Sequence, residues 1–150
     1  MTITFKIAPP GLATDYVQLR GMTRQNAVSR QRLRALGITA QSWASDIRSG
    51  ELTGFVALSG QQLAGYCFGH NTSGEVVVLA LLPAFEGQGI GRRLLGMVVD
   101  SLRGQGHDRL FLACASDPNV RSHGFYRHLG WRSTGALDER GDEVLELVQE

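Results

Sequence analysis

The chain has 150 residues, 43% hydrophobic and 19% charged, with a formal net charge of +1. That length suits one domain around one core, and that composition excludes a disordered chain. The near-neutral balance argues against a nucleic-acid partner, which would be held by phosphate neutralisation. Of the 15 cationic residues, Lys6 is the single lysine and lies in a strand-like stretch near the N-terminus, which all but excludes Schiff-base chemistry. Cys67 and Cys114 are far apart and imply a reduced, cytoplasmic protein, not a disulfide framework. The opening "MTITFKIAPP" lacks the charge-then-apolar pattern of a signal peptide. The longest apolar run, residues 76–85, is short of the ~20 residues that span a bilayer, so no membrane partner is expected.

Residues 3–8 alternate as a short strand, ended by Pro9-Pro10-Gly11. Residues 12–36 are rich in helix formers and predict one or two helices, broken near Gly21 and stopped at Gly37. Thr39 or Ser42 caps another short helix that ends at Gly50. Residues 53–60 and 61–70 predict a hairpin turning at Ser59-Gly60-Gln61. Residues 75–82, "EVVVLALL", form a nearly continuous apolar strand, the pattern of a strand covered on both faces, and Pro83 stops it. Ile90, Leu94, Leu95, Val98, Val99 and Leu102 recur at helical spacing up to Gly104-Gln105-Gly106. Residues 109–115 read as another buried strand, which completes a βαβ unit with a right-handed crossover. A helix over residues 119–130 and two final strands joined at residues 138–142 close the chain. No repeat, low-complexity tract or second domain interrupts residues 1–150.

Gly87, Gly89 and Gly91 lie between the apolar strand and its helix. A glycine-rich turn at a helix N-terminus is an anion site, because the first N–H groups lack internal partners and the helix dipole is positive there. Glycine lets phosphate oxygens approach the backbone, and Gln88, Arg92 and Arg93 add side-chain donors. The P-loop pattern is absent, since the turn has neither Lys nor Ser/Thr, and GxGxxG fails on spacing. A tight turn with no ligand remains the plain alternative.

These residues resemble the GNAT family, the Gcn5-related N-acetyltransferases. The family's Gln/Arg-x-x-Gly-x-Gly/Ala loop matches Glu86-Gly87-Gln88-Gly89-Ile90-Gly91. Its second motif, Asn-x-x-Ala-x-x-hydrophobic-Tyr-x-x-x-Gly-Phe, matches "NVRSHGFYRHLGW", with Asn119, Phe125, Tyr126, Gly130 and Trp131 in register. Ser122 stands at the Ala position. The resemblance implies an α/β (α+β) fold: a mixed central sheet of six to seven strands, splayed parallel central strands, and helices on both faces. It implies acetyl-CoA as cosubstrate, with its pyrophosphate on residues 87–93. Backbone N–H groups of Leu79, Ala80 and Leu81 are then the oxyanion donors on a bulged strand that pairs with pantetheine, and Asn119 contacts the CoA arm. Glu86 departs from the pattern. A carboxylate beside a pyrophosphate is unfavourable unless it turns to solvent or meets an arginine.

Direct acyl transfer to an amine of pKa about 10.4 requires a deprotonation costing about 4.6 kcal/mol at pH 7. The resemblance places a carboxylate base at Glu75, eleven residues before Glu86, acting through water with a pKa raised by burial. It places the general acid for the leaving thiolate at Tyr126. The structural alternatives are a strand-edge carboxylate and a core tyrosine. No metal is expected, since Cys67-x-x-His70 offers one ligand pair, and Cys114 reads as a core residue. The acceptor is an amine-bearing small molecule, amino acid, peptide or protein. Arg20 and Arg24, at i and i+4, form a solvated helix face or meet an acceptor carboxylate. A non-catalytic acyl-CoA-binding sensor or interaction module on the same fold is the second function class. Family members are often dimers, and no sequence feature here decides for or against a homodimer.

Overall fold

The computed structural model describes residues 2–25 and 27–148. Among them the elements run β1 (Ile3–Ile7), α1 (Ala13–Arg20), α2 (Arg30–Ala35), α3 (Ala40–Ser49), β2 (Leu52–Ser59), β3 (Gln62–His70), β4 (Val76–Leu81), α4 (Ile90–Gly104), β5 (Arg109–Cys114), α5 (Arg121–His128), β6 (Arg132–Leu137) and β7 (Glu143–Val148). The predicted element order therefore holds. Both proposed caps of α3 are used at once. Thr39 Oγ1 accepts the Ser42 N–H at 3.0 Å and Ser42 Oγ accepts the Thr39 N–H at 2.9 Å, a capping box.

Strands β1 to β4 form one antiparallel sheet in sequence order, and β5-β7-β6 form a second. Among the described residues, the two sheets are joined in parallel by a single bridge, from Glu75 just before β4 to Phe111 of β5. The splayed mixed sheet expected from the sequence is thus two antiparallel halves joined at one point. Helices pack on both faces. Buried residues of α4 and α5 share one core with Cys67, Val76, Leu110, Leu112, Trp131 and Leu145. Buried residues of α1 to α3 share the other with Val56, Tyr66, Phe68 and Ala80. Helix α4 owes its place to the spacing of Ile90, Leu94, Leu95, Val98, Val99 and Leu102, all buried. It lies so close to β3 that a Cβ on Gly69 would stand 2.8 Å from Val98 and 2.9 Å from Leu102 side-chain carbons.

The second core centres on Tyr16, Trp43, Tyr66 and Phe68, whose ring centroids are 5.2 to 5.6 Å apart in tilted or edge-on pairs. The Tyr66 hydroxyl donates to the Tyr16 carbonyl at 2.8 Å, and the Tyr16 hydroxyl donates to the Pro9 carbonyl at 2.7 Å. These bonds fix α1 on the sheet and set where its last residue, Arg20, emerges.

Two expectations need correction. Strand β4 is not covered on both faces: Val77 is 41% exposed, and Leu79 and Leu81 are only partly buried. In β5, Leu110, Leu112 and Cys114 are buried whereas Arg109 and Ala113 are exposed. Both strands border a gap, and apolar residues there face an open cleft. The bulge of β4 also lies earlier than expected. Phe68 stands opposite Val78 and Gly69 opposite Val76, so Val77 is the extra residue, while Leu79, Ala80 and Leu81 pair regularly with Cys67, Tyr66 and Gly65. A bulge bends its strand, and this one lies two residues past the Glu75–Phe111 bridge to β5, where β4 turns away. No described helix is long and apolar enough to cross a membrane.

Candidate active site

The parted strands open a cleft of about 270 Å³. Its walls are β4, the end of β5, the glycine loop with the start of α4, the start of α5, and the segment after α1. In an antiparallel pair, alternate residues turn their N–H and C=O groups away from the partner. On β4 those groups point from β3 into the gap that β5 leaves.

The glycine loop leaves the N-terminus of α4 open toward the cleft. Gly87 and Gly89 have φ of 77° and 78°, and Gly89 is the N-cap of α4 with no side-chain cap. A Cβ at either glycine would meet nothing within 4 Å among the described residues, and their positive φ is what requires glycine. Gly91 differs: a Cβ there would stand 3.2 Å from Leu81 Cδ1 and 3.7 Å from Phe125 Cζ, so the third glycine lets helix and strand approach. A second observation fits a ligand with polar groups. The Ser122 hydroxyl oxygen is buried without a hydrogen-bond partner among the described residues, and Ser122 lines the cleft. A buried hydroxyl rarely stays unsatisfied, because its desolvation costs about 1–3 kcal/mol.

Tyr126 reaches the cleft from α5. Its ring packs edge-on against Phe125 at 5.1 Å and Trp131 at 6.1 Å. Burial, reinforced by the nearby Cys67 and Cys114 thiols, pushes its pKa well above the ordinary tyrosine value. The hydroxyl therefore stays protonated across neutral pH. Arg20 lines the same cleft, and burial lowers its pKa, opposed by the neighbouring Tyr66 and Tyr126 hydroxyls.

Of the residues singled out from the sequence, Leu79, Ala80, Leu81, Gly87, Gly89, Ile90, Gly91, Arg92 and Tyr126 line the cleft. Four others are not among the lining residues. Gln88 folds back, its amide donating to the Ala84 carbonyl at 3.5 Å. Arg93 is one helical step round from Arg92 and lays its guanidinium over the Phe5 ring, 4.3 Å from the centroid. Asn119 is exposed in the turn before α5, its N–H donating to Asp117 Oδ1 at 2.9 Å. Glu75 sits at the closed end of the gap, half-buried, with burial raising its pKa against the opposing effects of His70 and Arg140.

The sequence reading missed Gln25, Arg121 and the orphan hydroxyl of Ser122 as parts of the site. Glu86 was the available signal. A partly buried carboxylate at the head of the glycine loop calls for cationic partners, and two arginines meet it. Glu86 Oε2 accepts from Arg24 Nε at 3.0 Å and from Arg121 Nη1 at 2.7 Å.

Fold and site together define an α/β protein with parted central strands and an anion-ready helix N-terminus. Residues 16–131 match the Acetyltransferase (GNAT) family, and the chain belongs to that family. A mycothiol acetyltransferase of Beutenbergia cavernae is 37% identical over 59 residues, which cover 39% of this chain and 20% of that protein. The match thus spans about a fifth of that curated relative. Among solved structures, the PaiA N-acetyltransferase of Thermoplasma acidophilum, in complex with coenzyme A, superposes with a TM-score of 0.76 at 16% identity over 99% of each chain. YncA of Salmonella typhimurium, with its cofactor acetyl-CoA, gives 0.77 at 16% identity over 100% of this chain and 95% of that one.

Proposed function

We propose that this chain transfers an acetyl group from acetyl-CoA to a primary amine, both being held together in the cleft. The observation that carries the reading is the uncapped N-terminus of α4, behind Gly87 and Gly89, opening on the same cleft as Tyr126 and the outward-facing edge of β4. The co-crystallised CoA and acetyl-CoA of PaiA and YncA support it.

When bound, acetyl-CoA supplies the activated thioester. The residues of the chain do the rest. The α4 N-terminus and Arg92 hold phosphate. Edge N–H groups over residues 79–81 orient amides and stabilise negative charge on the carbonyl oxygen. Tyr126 Oη keeps a proton for the departing sulfur; thiol and tyrosine pKa values of about 8.5 and 10 make that transfer slightly uphill, and burial adds to the slope. Glu75 takes the amine proton through water, since it does not itself line the cleft. Arg20 lines the cleft near Tyr126 and is the arginine we assign to an acceptor carboxylate.

The place of Glu75 outside the lining favours one second reading, an acyl-CoA-binding module without turnover. Thiol release from acetyl-CoA against a panel of amines, beside calorimetric CoA binding, separates the two. Release with one acceptor class supports the transferase. Binding without release supports the module, and absence of binding removes both.

A further inference from the structure

Glu86 occupies a position where the family pattern has Gln or Arg, and its carboxylate is only 17% exposed although its partners Arg24 and Arg121 are 61% and 53% exposed. Both guanidiniums donate to the same oxygen, Oε2. The three residues come from three separate parts of the chain: Arg24 follows α1, Glu86 opens the glycine loop, and Arg121 is the first residue of α5. A second bond ties the same two outer segments together, since Gln25 Oε1 accepts the Arg121 N–H at 3.0 Å. All four residues line the cleft.

We infer that Glu86 is a positioning residue: through Arg24 and Arg121 it straps the segment after α1 to the head of α5, so that the glycine loop, this wall of the cleft and the helix bearing Tyr126 are held as one unit. The inference rests on the transferase reading for its consequence and on the geometry alone for the strap. Two arginines against one carboxylate leave the cluster cationic, so phosphate brought to the loop still meets net positive charge. The carboxylate nevertheless weakens that attraction. Its presence therefore trades donor affinity for order in the wall and in α5. A residue that merely supports the fold would make no such trade. Replacing it would change donor binding and turnover in the same direction.

The test uses the full chain. Amide hydrogen exchange by NMR without ligand reads the strap through the Arg121 N–H, alongside calorimetry with CoA and turnover with the amine giving fastest thiol release. Glu86→Gln is expected to speed exchange at Arg121 on the order of tenfold, with Glu86→Asp intermediate. Glu86→Gln is also expected to tighten CoA binding about two- to fivefold, the scale of one partly screened charge, while lowering kcat. Arg24→Gln, at an exposed position that spares the fold, is expected to speed Arg121 exchange without tightening CoA. Unchanged Arg121 exchange in both variants would overturn the strap. Weaker CoA binding in Glu86→Gln, together with a lower kcat, would reduce Glu86 to a structural residue. A wild-type chain that binds no CoA overturns the proposed function instead, and the exchange data still decide the strap.

Discussion

Glu75 pairs in parallel with Phe111, and that bridge is where the two halves of the sheet meet. Past it, the Val77 bulge turns β4 away, and the apolar edge of the strand becomes the wall of a cleft. The carboxylate at the hinge is half-buried, and burial is the largest cause of its raised pKa.

That raised pKa gives Glu75→Gln two separable effects. Burial penalises the ionised form, so the native state favours protonated Glu75, and its ionisation lowers stability as pH rises through the unfolded value of about 4.3. The Gln variant should then be at least as stable as wild type at pH 7, with the difference vanishing below about pH 4. Denaturant midpoints at both pH values check this. If Glu75 is the base, kcat falls about 100-fold or more and its acid limb disappears. An unchanged rate and pH profile removes the base role.

Two glycines of one helix should answer alanine oppositely. Gly89, at φ 78°, forces a side chain into the left-handed region, so Gly89→Ala should cost about 1–2 kcal/mol and weaken CoA binding. Gly96 lies mid-helix with a normal φ and open space around a Cβ. Gly96→Ala should add about 1 kcal/mol and raise Tm by roughly 2–4 °C. Thermal melts of the two variants read both signs.

Ser122→Ala removes a buried hydroxyl that has no partner among the described residues. The free protein should gain about 1 kcal/mol. If the hydroxyl meets a polar ligand group, CoA affinity should fall about two- to tenfold in the same variant. Melting with and without CoA separates the effects, and equal gains in both would mean that the ligand does not use this hydroxyl.

Much of this could be read from the chain. Turn residues, the period of α4 and the Thr39–Ser42 signal are local, and so they placed the elements correctly. The glycine loop and Tyr126 belong to contiguous motifs, and both reach the cleft. Arg93 and Gln88 did not, because loop proximity does not fix direction: one helical step turned Arg93 onto Phe5 of β1, a partner far away in sequence. The open face of β4 is hidden in the sequence for a related reason. An apolar strand beside an open cleft has the same composition as one in a core, and only the parting from β5 tells them apart. Glu86 marked a needed counter-charge, but Arg24 and Arg121 were identified only by the fold.

Alkaline stability should fall in two stages. Burial pushes the Cys67 thiol up and is the largest cause of the rise at Cys114. It likewise raises Tyr16, Tyr66 and Tyr126. Each raised group contributes stability that is full below its unfolded pKa and is lost as pH rises toward its folded one. The loss therefore starts near pH 8.5 with the thiols and steepens above about 10 with the tyrosines. Urea midpoints from pH 7.5 to 11 should show both, and Cys67→Ala should flatten the first stage.

Tyr126→Phe tests the chemistry apart from the packing. The ring keeps its contacts with Phe125 and Trp131, and only the hydroxyl is lost. Because burial holds that hydroxyl protonated, the wild-type rate should show no alkaline limb from Tyr126 below pH 10. The variant should lose about 100-fold in kcat, the low end of the contribution of a positioned proton donor, with CoA affinity nearly unchanged. A slower chemical step with intact binding is the signature of an acid that acts only when sulfur departs. Equal kcat in the two proteins would show that water reprotonates the thiolate and that Tyr126 is a core residue at the edge of the cleft.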